Sequence, residues 1–396
     1  MCAESATPQE TQRPLTDSTR LRFDRNELSG AFGDIGTDLP LIIGMILAAG
    51  LDSASVLIVY GLMQVSTALY YRLPMPVQPL KAVAVLVITQ KLGGNIIYGA
   101  GLAIGLVMLL LVKTGLIDWV ARVVPKTVVR GIQFGLGLQL TSLALKDYVR
   151  AESTLGYWLA GVTFVLALLL LGNRKLPPAL VIILIGIGYA FVFKLDWSVL
   201  PHSFGFRLPQ WHTPKPAEIW SGFLLLALPQ VPLSIGNSIL ATVQITDDLF
   251  SGRRLTVKRV GFTYALMNLV NPFLSGVPTC HGSGGMAGHY TFGARTGGSV
   301  VIYGTFYLVF GLFFSKGFAQ LVQVFPLPML GVILLFEGLA LLLLARDMTA
   351  SKKNFAIVLL VGLMASGLPY GYLFGLVVGT AMPYLFSRYA PQSFQT

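Results

Sequence analysis

Stretches of about 20 apolar residues, the length a helix needs to cross a bilayer core, recur along this chain with polar gaps between them. They fall near 29–50, 54–71, 94–112, 127–145, 155–172 and 177–194. After a polar stretch at 195–216 they resume near 219–246, 259–277, 298–315, 325–344, 354–367 and 370–387. Two further apolar stretches are shorter and open on proline: 74–91, beginning Pro74-Met75-Pro76-Val77-Gln78-Pro79, and 278–291, beginning Pro278-Thr279-Cys280-His281-Gly282. Counting both gives fourteen segments, seven on each side of the polar stretch. Seven is odd, so the second set must run through the bilayer in the opposite sense to the first. Pro40-Leu41-x-x-Gly44 in the first segment recurs as Pro232-Leu233-x-x-Gly236 in the eighth, and the short third segment has its counterpart in the short tenth. The pattern predicts an all-α polytopic membrane protein: a 7+7 inverted repeat over 29–194 and 217–388, with half-helices in segments 3 and 10.

Composition supports this and removes the soluble alternatives. The chain is 54% hydrophobic and 11% charged, with a mean hydropathy of +0.72, whereas soluble domains are about one-quarter charged. The net charge of +11 lies in short gaps between apolar runs and forms no stripe, which excludes a nucleic-acid groove. With the N-terminus inside, sixteen basic residues fall at cytoplasmic gaps and span ends, Arg72, Lys126 and Arg130 among them, against seven outside. The positive-inside rule then places both termini in the cytoplasm of a multi-pass inner-membrane protein. Residues 1–28 lack an apolar core and are expected to form a cytoplasmic tail. The stretch 195–216 is then an extracytoplasmic linker, and 389–396 a short cytoplasmic C-terminus. Cys2 and Cys280 are too few for a disulfide framework.

Chemistry concentrates in the two short segments. In Pro76-Val77-Gln78-Pro79-Leu80-Lys81 the prolines enforce an extended run, and Pro79 suits the first position of a helix. A helix start inside the membrane offers unpaired N–H groups and a partial positive charge, and Lys81 adds a full one. The run His281-Gly282-Ser283-Gly284-Gly285 lets backbone approach a ligand closely and supplies amides and a hydroxyl. Gln230, Ser234 and Asn237, spaced four then three, share one face of the eighth segment. They are candidate cavity residues, as are Thr37 and Gln64. Intramembrane acids mark ion or proton paths by default, which singles out Asp34, Asp38 and Glu337 as candidates for proton coupling. Asp247 and Asp248, beside Arg253 and Arg254, read as a solvated helix end. His281, His289 and Cys280 match no zinc spacing, so neither a metal, a catalytic group nor a cofactor is expected.

Phe32-Gly33-Asp34-Ile35-Gly36-Thr37-Asp38-Leu39-Pro40 and the third-segment run to Lys81 resemble the molybdate transporter family (the type 1 transporters of plants and bacteria), which is related to the sulfate permeases. So do Pro232-Leu233-Ser234-Ile235-Gly236-Asn237-Ser238, Pro278 to Gly285, and Phe292-Gly293-Ala294-Arg295-Thr296-Gly297-Gly298-Ser299. The resemblance implies the seven-plus-seven fold of uracil transporters and sulfate permeases, with a core moving against a gate. It further implies secondary-active import of a tetrahedral oxyanion, molybdate first. Sulfate and tungstate are the alternatives, with a nucleobase on the same fold further off. Sulfate permeases usually append a soluble regulatory domain, which is not expected here. The expected partners are the oxyanion and the bilayer, with a second copy of the chain as a candidate homodimer.

Overall fold

The computed structural model describes residues 20–171, 178–195, 203–250 and 252–389. Most of the expected N-terminal tail, residues 196–202 of the linker, the cations Arg174 and Lys175, Cys2 and the end of the chain from 390 lie outside the described residues.

The first apolar stretch starts earlier than hydropathy suggests and is interrupted. Helix α1 spans Arg25–Ala31, because Asp24 accepts hydrogen bonds from the N–H groups of Asn26 and Glu27. The chain breaks at Phe32–Asp34 before α2, Ile35–Ala49, which Gly50 ends at a φ of 63°. Asp52 caps α3, Ser53–Tyr71. The third stretch is strand β1, Val77–Pro79, followed by α4, Lys81–Gln90. Next come α5, Gly94–Thr114, a short α6, Ile117–Val123, and α7, Lys126–Leu143. Helices α8, Ser153–Leu170, and α9, Pro178–Phe193, complete the first half.

The linker residues 203–215 run extended across helix ends, Gly205 and Arg207 donating their N–H groups to Phe313 and Leu312. A helical rod from Pro216 to Leu249 follows, made of α10, Pro216–Gly222, α11, Leu228–Leu233, and α12, Ala241–Leu249. Wider π turns at Phe223–Ala227 and Ser234–Leu240 join them, on either side of Pro229 and Pro232, which lack the N–H a regular ladder needs. Then come α13, Val257–Val270, strand β2, Thr279–His281, and α14, Ser283–Thr291. Helix α15, Gly298–Phe313, bends by 95° into α16, Ser315–Val324. Helices α17, Leu327–Leu343, α18, Lys352–Gly367, and α19, Gly371–Tyr389, end the described chain.

Among the described residues seven continuous helical stretches, some joining neighbouring elements as in Arg25–Ala49 and Pro216–Leu249, are long and apolar enough to cross a membrane, or eight with the bent pair taken as one span. Their outward faces are apolar, Trp158, Leu169 and Phe193 being among the most exposed side chains; such a surface suits lipid. Two groups pack internally: α3 lies along α15 and α5 along α10 and α13, while α7 lies against α17 and α18. Glycine sets the closest approach in the first group. A Cβ on Gly61 would stand 2.7 Å from the Gly304 carbonyl oxygen, and one on Gly304 2.8 Å from that of Gly61, so larger residues would push α3 and α15 apart.

Candidate functional site

Strands β1 and β2 pair antiparallel, with Val77 opposite His281, Gln78 opposite Cys280 and Pro79 opposite Thr279. Each strand passes almost directly into a helix, so the antiparallel pairing sets the starts of α4 and α14 at the two ends of one short ladder. Pro79 belongs to the strand and does not open the helix as its φ preference suggested. The pairing continues past it through Leu80 N–H to the Pro278 carbonyl at 3.1 Å, and Lys81 becomes the first helical residue.

A cavity of about 340 Å³ opens beside these helix starts. One wall carries Gln78, Lys81, Gln230, Asn237, Ser283 and Gly284, with Ser238, Cys280 and His281 beside them. The opposite wall comes from Arg130, Gln133 and Leu136 of α7 and from Leu341 and Leu344. The site therefore lies between the two packing groups.

The two helix starts are satisfied differently. At α4, Gln230 Oε1 accepts from the N–H groups of Ala82 at 3.1 Å and Val83 at 3.4 Å, so these amides are engaged by the chain itself. Gln230 Nε2 donates to Ser234 Oγ, which shares a hydrogen bond with the Tyr264 hydroxyl. Ser234 therefore backs Gln230 and does not line the cavity. The π turn that begins at Ser234 rotates the residues after it, which divides the face shared by 230, 234 and 237.

At α14 the N-cap is Gly282, with no side chain to offer. Its own N–H is given to Pro76, and a Cβ there would collide with the Gln78 side chain. The first-turn amides of Ser283, Gly284 and Gly285 precede any intrahelical acceptor. Ser283 Oγ donates to the Asn237 carbonyl at 3.0 Å. Among the described residues no carboxylate stands within ion-pair distance of the Lys81 ammonium. The cavity lining thus presents Lys81, Arg130 and the positive end of α14. His281 is fully buried, its Nε2 2.7 Å from Thr263 Oγ1.

The acids separate. Asp34 precedes α2 but caps nothing with its side chain; it accepts from Gln78 Nε2 at 2.6 Å, one residue removed from the cavity. Asp38 is fully buried among hydroxyls, 2.5 Å from Tyr60 Oη and 3.3 Å from Tyr303 Oη. Glu337 is half-buried on α17 beside a separate cavity of about 140 Å³ lined by Pro178, Ala179, Ile182 and Phe336, with its charge still within electrostatic reach of Lys81 and Asp34. Thr37 does not line the central cavity. Gln64 braces the strand, exchanging hydrogen bonds with both backbone groups of Val77. Asp247 and Asp248 are exposed, as a solvated helix end should be.

Arg130 and Gln133 are the residues that sequence reasoning passed over. Arg130 reads as a topological charge, although a polar residue three positions on shares its helix face. Also unanticipated is Glu27, buried with its carboxylate accepting from the N–H groups of Arg295, Thr296 and Ser299 at 2.8–3.0 Å.

The chain matches the family described as molybdate transporter of MFS superfamily over residues 26–140 and 222–341. It is 32% identical to molybdate transporter 2 of Arabidopsis thaliana, an alignment covering 86% of this chain and 83% of that protein. With molybdate transporter 1 of the same plant it is again 32% identical, over 93% of this chain and 91% of the other. In three dimensions it resembles the transmembrane domain of a cyanobacterium bicarbonate transporter, BicA, with a TM-score of 0.67 at 17% identity, covering 90% of this chain and 97% of that one. A likeness at that identity establishes the fold alone. The sequence matches run through both strand–helix pairs and through most of the residues around the cavity, and on them the chain belongs to the molybdate transporter family.

Proposed function

We propose that this chain is a secondary-active transporter, not an enzyme, and that it imports a tetrahedral oxyanion, molybdate first, across the inner membrane by alternating access. The observation that carries the reading is the cavity wall where Lys81 and the first-turn amides of α14 face the same space. A dianion leaving water needs several charged or strongly polar donors to offset its desolvation. A nucleobase carrier would want a carboxylate for ring N–H groups, and none lines this cavity. Sulfate and tungstate share the geometry and charge of molybdate and remain the alternatives.

In this reading the fourteen segments form a 7+7 inverted repeat with both termini cytoplasmic. The group holding α4 and α14 then moves as a body against the α7–α17–α18 group, and two copies of the chain pair as a homodimer. Gln78, Lys81, Gln230, Asn237, His281, Gly282, Ser283 and Gly284 form or support the site. Of the three acids, Asp38 suits a coupled proton best. Tyr60 has one hydroxyl hydrogen but contacts both Asp38 Oδ2 at 2.5 Å and the Val77 carbonyl at 2.6 Å. The carbonyl can only accept, so a proton on Asp38 completes both bonds. Asp34 links this proton to the cavity through Gln78. The test is uptake of labelled molybdate into liposomes holding purified protein, competed by sulfate, tungstate and uracil across an imposed pH gradient. Uptake blocked by uracil and indifferent to the oxyanions would defeat the reading.

A further inference from the structure

A second cavity, of about 310 Å³, adjoins the central one at the start of α7 and shares Arg130 and Asn237 with it. Lys126 and Arg130 line it, together with apolar residues such as Val124 and Pro232. Two cations in the first turns of a helix oppose its dipole. What balances them is Asp347, in the 3₁₀ turn Leu344–Met348 that follows α17. Its carboxylate lies 2.8 Å from Lys126 Nζ, 2.7 Å from Arg130 Nη2 and 3.1 Å from Arg130 Nε. The remaining guanidinium nitrogen, Nη1, donates to Gln133 Oε1 at 2.9 Å, and Gln133 faces the central cavity. Asp347 itself lines neither cavity.

We propose that Lys126 and Arg130 form a second oxyanion station on the path out of the central site, and that Asp347 is its internal competitor. The proposal rests on the oxyanion reading above and adds a binding place to it. A carboxylate offers two oxygens on one carbon to the ammonium and the guanidinium fork. One edge of a tetrahedral oxyanion offers two oxygens in the same way and carries twice the charge. Arg130 borders both cavities, so the station shares a cation with the central site. A station with two free cations would hold a dianion too firmly for turnover. The return of Asp347 to the same donors lowers that retention and favours release. The carboxylate is one-third exposed and the guanidinium 17% exposed, so the exchange takes place at the edge of water.

Equilibrium binding of labelled molybdate to purified full-length protein, at fixed ionic strength, tests this. Wild-type protein should bind one equivalent tightly, and Asp347→Asn should add a second, roughly tenfold tighter there than in wild type, the range for a charged hydrogen bond. Adding Arg130→Gln to that variant should remove the gain, while Lys81→Gln should weaken only the central equivalent. A gain of binding does not arise from misfolding, and Asp347→Ser provides the same readout should the amide variant fail to fold. Unchanged stoichiometry and affinity in both Asp347 variants, with Lys81→Gln still weakening binding, would overturn the station and leave the transport reading standing. Failure of wild-type and variant proteins alike to bind molybdate or sulfate would overturn both.

Discussion

Gly284 and Gly285 are neighbours in the first turn of α14 with opposite surroundings, which makes their alanine variants a sharp test of the cradle. A Cβ on Gly284 meets nothing within 4 Å, and Gly284 lines the central cavity. A Cβ on Gly285 would fall on the Asp34 carboxylate and stand 2.6 Å from Pro76 Cγ. Alanine in a helix is favoured over glycine by up to about 1 kcal/mol, so Gly284→Ala should leave stability unchanged or raise it. The new methyl enters the space an oxyanion must use to bring an oxygen within about 2.9 Å of the first-turn amides. Losing one hydrogen bond to a charged group costs about 1.5–3 kcal/mol, which weakens binding roughly tenfold or more. Gly285→Ala overpacks instead and should destabilise by about 1–3 kcal/mol. Thermal unfolding of both purified variants, with and without molybdate, reads the two effects separately. Wild-type molybdate affinity in Gly284→Ala would refute the placement of the anion at α14. So would a stability loss in Gly284→Ala as large as that of Gly285→Ala.

Three further outcomes follow from the same geometry. Lys81→Gln removes a whole charge but leaves the α14 amides, so oxyanion affinity should fall by about 1–3 kcal/mol in equilibrium binding while membrane insertion is unchanged. Asp38→Asn keeps a donor toward Tyr60 and should fold normally, yet lose pH-driven accumulation in liposomes while retaining molybdate exchange; normal accumulation would remove Asp38 as proton carrier. Glu27→Gln weakens three hydrogen bonds to backbone N–H groups and turns an amide donor against them, so thermal unfolding should report a loss of roughly 3 kcal/mol or more.

What was legible beforehand follows from what proline and glycine do to a backbone. Apolar runs too short to cross a bilayer and opening on Pro74 or Pro278 have few outcomes besides an extended piece feeding a short helix, and each is a three-residue strand followed by a helix of 10 or 9 residues. Their pairing into a two-stranded sheet, which delays the start of α4 to Lys81, depends on Pro278 and Gly282 reaching across from the other half of the chain. No local pattern carries that contact. Hydropathy also assigns depth but not direction. Asp38 and Glu337 are equally intramembrane by pattern, yet one is enclosed by tyrosines of α3 and α15 and the other borders a different cavity on α17. Arg130 shows the converse, since residues near span ends are counted as topology and a cation facing inward is then indistinguishable from one facing lipid head groups.

The acceptors around the helix starts explain which of them is open to a ligand. The loop entering α15 and the first turn of that helix are taken by Glu27, which accounts for the Arg295-Thr296-Gly297-Gly298-Ser299 run. Gly298 has no room for a Cβ there because the Arg22 carbonyl lies against it. At α7 the first-turn cations are met by Asp347, and at α4 the amides of Ala82 and Val83 are met by Gln230. At α15 and α4 the amides themselves are answered by a side chain from elsewhere in the molecule, and at α7 the first-turn cations are. Helix α14 differs: its N-cap is glycine, its first turn reads Ser283-Gly284-Gly285, and Ser283 turns its hydroxyl to Asn237. A helix start without an internal acceptor leaves its first amides to be answered by water or a ligand. Lys81 lines the same cavity and, among the described residues, has no carboxylate bonded to it, so the proposed oxyanion would find both a cation and free amides there.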